Sequence, residues 1–161
     1  MKQIFESKRI KYVEVTLELV NDYLEMINDY ENVEKYIGKD TNTISLEDEI
    51  KWVNKKLEEK AVLFSMIEKE TDEFIGSIEL MDVNGETGEL GIAITAKKQN
   101  QGFGKESIRA MIDYGFNVLN LNKITLRVFP YNPRAYHVYK QCGFKEYNRT
   151  NDDIYMEINK C

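Results

Sequence analysis

The chain has 161 residues and a formal net charge of −6, with 28 acidic residues against 22 basic ones. That length can bury a core without disulfides or a structural metal. The acidic balance excludes a general binder of nucleic-acid phosphates and suits cationic partners better. Cys142 and Cys161 are too few for a disulfide framework and lack metal-ligand spacing. The single histidine, His137, leaves no zinc constellation, so no metal is expected. No apolar run reaches membrane-spanning length and the first eight residues are too polar for a secretory signal, so a cytoplasmic location with no membrane partner is expected. With no linker, repeat or low-complexity segment, residues 1–161 read as one domain, monomeric or homodimeric.

In chain order, residues 9–15 alternate in polarity and predict a first strand. Thr16 can cap a helix from Leu17 to about Asn28, with Leu17, Val20, Leu24 and Ile27 as its apolar stripe. A short helical piece over Val33–Ile37 ends at Gly38. Ser45 followed by Glu47 and Asp48 starts a further helix running to about Glu59, with Ile50, Val53 and Leu57 inward. Three strand-like runs follow, Ala61–Glu68, Phe74–Asp82 and Glu89–Thr95, separated by turn-rich pieces that imply antiparallel hairpins.

A glycine-bearing loop leads into a helix from about Gly104 to Leu119, then a strand at Lys123–Phe129. Asn132 caps a helix with Pro133 in its first turn and Gly143 at its end, and Phe144–Arg149 and Ile154–Ile158 close the chain as strands. The order β-α-α-α-β-β-β-α-β-α-β-β predicts an α+β fold, a mixed and mostly antiparallel sheet with helices on both faces.

The first chemical signal is Gln99-Asn100-Gln101-Gly102-Phe103-Gly104-Lys105, between a strand and a helix. Backbone N–H groups at a helix start, with glycines permitting close approach, suit an anionic phosphate. Ser107 stands where a dinucleotide fingerprint needs its third glycine. Gln99 and Glu106 stand where an ATP-binding P-loop needs glycine and Ser/Thr. By itself the loop is also consistent with an ordinary helix start that holds no ligand.

Gln99-x-x-Gly102-x-Gly104 resembles the Gln/Arg-x-x-Gly-x-Gly/Ala signature of the GCN5-related N-acetyltransferase (GNAT) superfamily. Asn132-Pro133-Arg134-Ala135, Tyr139 and Gly143-Phe144 resemble its second signature, and Glu89–Thr95 resembles its fourth strand. Phe74-Ile75-Gly76, Glu89-Leu90-Gly91-Ile92 and Tyr114-Gly115-Phe116 resemble the ribosomal-protein N-terminal acetyltransferase branch, a pattern largely shared with polyamine acetyltransferases. Asn100 departs from the family loop, where a further glycine is common; asparagine tolerates unusual backbone angles.

The resemblance implies a GNAT fold, acetyl-CoA as cosubstrate and an acetyl acceptor bearing a primary amine, either a peptide N-terminus or a small amine such as a polyamine or amino sugar. Its loop residues, Gln99 and Asn100 with the amides of Gln101, Gly102, Phe103, Gly104 and Lys105, would hold the CoA pyrophosphate. Ile92, Ala93 and Ile94 would pair with the pantetheine arm along a strand bulged near Gly91. Asn132 would touch the pantetheine amides and Ala135 would leave room for the arm. Tyr139 would border CoA and serve as general acid toward the thiolate. Glu89 is the first candidate for the proton acceptor and Glu79 the second; Trp52 and Tyr36 are candidates for the acceptor pocket. Cys142 reads as a core residue and His137 as a surface one. The alternative function is a GNAT module that binds CoA without turnover.

Overall fold

The computed structural model describes residues 1–37 and 43–161. Its frame is an eight-stranded sheet in the order β1-β2-β3-β4-β5-β6-β8-β7. The strands are β1 (Gln3–Glu6), β2 (Ile10–Glu14), β3 (Val62–Glu68), β4 (Phe74–Met81), β5 (Thr87–Ile94), β6 (Lys123–Val128), β7 (Lys145–Arg149) and β8 (Ile154–Asn159). Every neighbour pairs antiparallel except β5 and β6, which run parallel. The expected α+β architecture is therefore observed. Its additional strand, β1, lies in a segment too short and too polar to show a two-residue apolar period.

Alternation along the strands feeds two cores. Ile10, Tyr12, Phe64 and Met66 point to one face, under α4 (Phe103–Asn117), which buries Phe103, Ile108, Met111 and Ile112 there. Residues of α5 (Pro133–Gln141) pack against the same cluster. Val13, Val15, Leu63 and Phe74 point to the other face, against α1 (Val20–Ile27) and α3 (Leu46–Glu58). Gly115 lets α4 settle on the sheet: a Cβ there would stand 2.9 Å from Ile124 Cδ1 and 3.3 Å from Leu80 Cδ1.

Several local expectations change. Thr16 caps as predicted, accepting from Glu18 N, but a single 3-10 turn, Leu17–Leu19, precedes α1. That tighter turn rotates the helix, so Leu19, Tyr23 and Met26 are the buried stripe and Leu17 is exposed. The helical piece near Val33 becomes a wide π-type turn, Tyr30–Glu34, followed by α2 (Lys35–Ile37), and the predicted stop at Gly38 lies outside the described residues. Ser45 caps α3 by accepting from Asp48 N. No bulge interrupts β4–β5, whose register runs regularly from Gly76↔Ile94 to Met81↔Glu89. The parting of β5 from β6 has another cause: β5 follows β4, whereas β6 follows β8 along its whole length.

At Gly76 the two strands approach so closely that a Cβ would overlap the Ala93 carbonyl. Gly76→Ala is expected to destabilise the fold by about 3 kcal/mol, the upper range for overpacking, since backbone rather than a flexible side chain must yield. Urea unfolding of the two forms measures this.

Candidate active site

The parallel contact between β5 and β6 is short, only Thr87↔Lys123, Gly88↔Ile124 and Glu89↔Thr125. Beyond Glu89 the strands diverge, so residues 90–94 of β5 have a backbone edge that β6 does not use. Such an edge can pair with an extended amide-bearing chain. Ile92 and Ala93 line a cavity at this opening, and Ile94 leads toward the glycine loop. The Ile94 carbonyl already accepts from Gln99 Nε2 at 2.9 Å, so its amide side is the half left for a ligand.

The loop has the backbone its composition suggested. Asn100 (φ 61°) and Gly102 (φ 84°) both sit in the left-handed region. Gly102 is the N-cap of α4 and supplies no side-chain oxygen, leaving the first amides of the helix, those of Phe103, Gly104 and Lys105, without a side-chain cap. Space beside Gly104 is open, with nothing within 4 Å of where a Cβ would be. Open space, uncapped amides and the positive end of a helix dipole fit a pyrophosphate. The Phe103 ring itself is buried, so any contribution from that residue comes through its amide.

Side chains hold this loop in place, and sequence reasoning missed most of them. Arg9 donates from Nη1 to the Gln101 carbonyl (3.0 Å), and from Nε to Glu106 Oε1 (2.8 Å). Its guanidinium also lies 4.2 Å from the centre of the Phe103 ring. Glu106 Oε2 accepts from Ser7 Oγ (2.6 Å) and Arg9 N (2.8 Å), fastening the β1–β2 turn to the first turn of α4. Burial works against ionisation of Glu106, but the Ser7 and Arg9 hydrogen bonds and the Arg9 charge prevail and hold its carboxyl below the ordinary range. Gln99 acts through its side chain as a tie, donating to the Ile94 and Asn32 carbonyls. Gln101 Nε2 donates to the Lys97 carbonyl. Arg134 donates to Asn100 Oδ1 (2.7 Å) and Gln99 Oε1 (3.2 Å), setting a second cation beside Lys105 near the loop. The signal for Arg134 was available: a cation in the first turn of a helix opposes the dipole unless a partner holds it there.

Across the opening, Asn132 caps α5 by accepting from Ala135 N (3.3 Å), and half-buried Ala135 packs against the core. Tyr139 lies two turns further along and stacks edge-on against Phe144, with ring centres 6.0 Å apart. Although α5 packs on the α4 side, Tyr139 lines the same cavity as α1 and α3 residues, through the gap where β5 and β6 part. Burial pushes its phenol up to about 12, so the hydroxyl keeps its proton at neutral pH. The cavity, about 730 Å³, is also lined by Trp52 and Tyr36 and by Asp48, Glu49, Glu79, Glu89, Asp153 and Arg127. Cys142 is half-buried against the edge of the core rather than within it, its thiol pushed up by burial, and His137 is exposed as expected.

A family model for the acetyltransferase (GNAT) domain matches residues 9–145. The chain belongs to the GNAT acetyltransferase family. Spermidine N(1)-acetyltransferase of Vibrio cholerae is 33% identical over 105 residues, covering 64% of this chain and 61% of that protein, less than two thirds of its length. The uncharacterized N-acetyltransferase p20 of Bacillus licheniformis is 33% identical over 128 residues, 72% of each chain. The solved spermidine N-acetyltransferase from Vibrio cholerae in complex with CoA and spermine superposes with a TM-score of 0.86 at 25% identity, covering 95% of this chain and 96% of that one. These relatives support the family and leave the ribosomal-protein branch without support. In this GNAT domain, the uncapped loop and the free β5 edge are the features that fit acetyl-CoA.

Arg9→Ala should release the Gln101 carbonyl and raise the KM for acetyl-CoA about tenfold, or about 1.4 kcal/mol of lost preorganisation, with a smaller change in kcat. Steady-state kinetics test this. Because the Glu106 carboxyl is depressed in the folded protein, its stabilising contribution is present above the ordinary carboxylate range and is lost as pH falls through the depressed value. Acid unfolding followed by circular dichroism should show Glu106→Gln less stable at neutral pH and closer to the native chain at low pH.

Proposed function

We propose that this GNAT domain transfers acetyl from acetyl-CoA to a primary amine on a small molecule that carries at least one further positive charge. The observation that carries this reading is the charge of the cavity around Tyr139: five carboxylates, Asp48, Glu49, Glu79, Glu89 and Asp153, face one guanidinium, Arg127. Ammonium groups held among carboxylates gain Coulomb energy that a neutral chain does not. Trp52 and Tyr36 add aromatic faces on which a cation can rest. The spermidine acetyltransferases among its relatives act on an amine of this type by name.

Acetyl-CoA would lie with its pyrophosphate at the amides of Gln101–Lys105, near Lys105 and Arg134, and its pantetheine arm along residues 92–94 with Asn132 alongside. The thioester would then meet the amine at the cavity. An ammonium has no lone pair, so one proton must leave before nitrogen attacks the acetyl carbon. Tyr139, neutral at working pH, is the general acid for the departing thiolate. No covalent acyl-enzyme is required.

Thiol release from acetyl-CoA tests the acceptor with spermidine, a monoamine of matched length and a short peptide with a free N-terminus. Spermidine should exceed the monoamine by at least about tenfold in kcat/KM, an advantage that shrinks as salt rises. Equal rates for the monoamine, or a preference for the peptide, would contradict the charge reading, and CoA binding without turnover would favour a non-catalytic module. Tyr139→Phe should lower kcat about 100-fold and leave acetyl-CoA affinity unchanged; unaltered kcat would remove Tyr139 from the chemistry.

A further inference from the structure

Resting on the acyl-transfer reading above, we propose that Glu79 takes the proton from the acceptor ammonium, while Arg127 holds Glu89 as a fixed counter-charge. Glu89 is at the closed end of the opening, the last residue of β5 that still pairs with β6. Arg127 Nη2, from β6, stands 3.6 Å from its Oε2. Arginine does not deprotonate, so Glu89 is already engaged by a permanent cation and is less open to an incoming ammonium.

Glu79 differs in each respect. It pairs in register with Gly91, and a Cβ on that residue would stand 3.3 Å from both Glu79 Cγ and Oε1. The missing side chain therefore gives the carboxylate its place against β5, beside the strand edge expected to hold the pantetheine arm. It lines the cavity with Tyr139 and has no hydrogen-bond partner among the described residues. Burial raises its carboxyl, the Lys56 charge opposes this and Glu89 reinforces it. The other charged and titratable groups around the cavity are Tyr23 of α1, Tyr36 of α2, Asp48 and Glu49 of α3, Glu89 of β5, Arg127 of β6, Tyr139 of α5 and Asp153 of the β7–β8 turn, with Lys56 of α3 acting from nearby. A carboxylate with raised basicity, open on one side to an incoming ammonium, is the better proton acceptor.

The ammonium gives one proton to Glu79, directly or through a water, and its freed lone pair forms the C–N bond. The C–S bond breaks with its electrons on sulfur, which takes the Tyr139 proton. The second nitrogen proton restores the phenol through solvent, and Glu79 releases its own to bulk. The products are the amide, free CoA thiol and one proton.

The test is the pH dependence of kcat at saturating acetyl-CoA and amine for the native chain, Glu79→Gln and Glu89→Gln. The native profile should fall on its acid side at a pH above the ordinary carboxylate range. Glu79→Gln should lower kcat about 100-fold and abolish that limb, with acetyl-CoA binding retained as evidence of folding. Glu79→Asp should restore a limb at lower kcat, and Glu89→Gln should keep the limb and lose less than about tenfold. Normal native turnover with a limb that survives Glu79→Gln overturns this assignment alone. Absence of turnover by the native chain with every amine overturns the transfer reading and this assignment with it.

Discussion

β5 and β6 run side by side for three residues and then part, because each has a stronger commitment on its other edge. β5 continues its antiparallel ladder with β4 as far as Ile94, and β6 continues with β8 as far as Val128. A sheet that splits in its middle exposes backbone donors and acceptors that water or a ligand must satisfy. It also opens a passage between the two helical layers. Tyr139 from one layer reaches the cavity lined by Tyr23 and Trp52 from the other only because that passage exists. Close packing of α4 at Gly115 holds the two halves together below the split.

Charge is distributed along the same line with opposite signs at its two ends. At the loop, Lys105, Arg134 and a helix N-terminus gather positive potential, while Arg9 is spent on Glu106 and the Gln101 carbonyl. Lys98, nearly buried just before the loop, donates to Glu68 (2.7 Å) and Glu73 (2.8 Å) and fixes the loop's approach to the sheet. At the cavity the sign reverses, with carboxylates from α3, β4, β5 and the β7–β8 turn. The anionic cosubstrate and the proposed cationic acceptor would thus meet regions of opposite charge, an arrangement that neither the net charge of −6 nor the local motifs reveal.

What could be read from the sequence is what local physics determines. Asn100 and Gly102 carry the left-handed angles that their residue types permit, Asn132 and Ser45 cap the helices they precede, and the strand runs pair as hairpins. What could not be read depends on partners distant in the chain. β1 is held by its pairing with β2 and by Phe5, stacked 4.2 Å from Tyr12 and 4.7 Å from Tyr114. Neither contact leaves a periodic trace. Arg9 and Glu106 are 97 positions apart, so their union on the loop is a property of the fold. The apolar stripe of α1 was misread because one 3-10 turn after Thr16 shifts its phase, and a bulge at Gly91 was expected where the strands separate without one. The different surroundings of Glu79 and Glu89 depend on the missing Cβ of Gly91 and on Arg127, both visible only in three dimensions.

If the split and the loop together hold one CoA molecule, CoA must perturb the backbone at both. Titration of the isotope-labelled protein with CoA, followed through its backbone amide resonances, reads this out residue by residue. The largest shifts are expected at Gln101–Lys105 and at Ile92–Ile94, with ATP or NAD producing neither set. Shifts confined to the loop, or equal shifts with ATP, would contradict a single shared site.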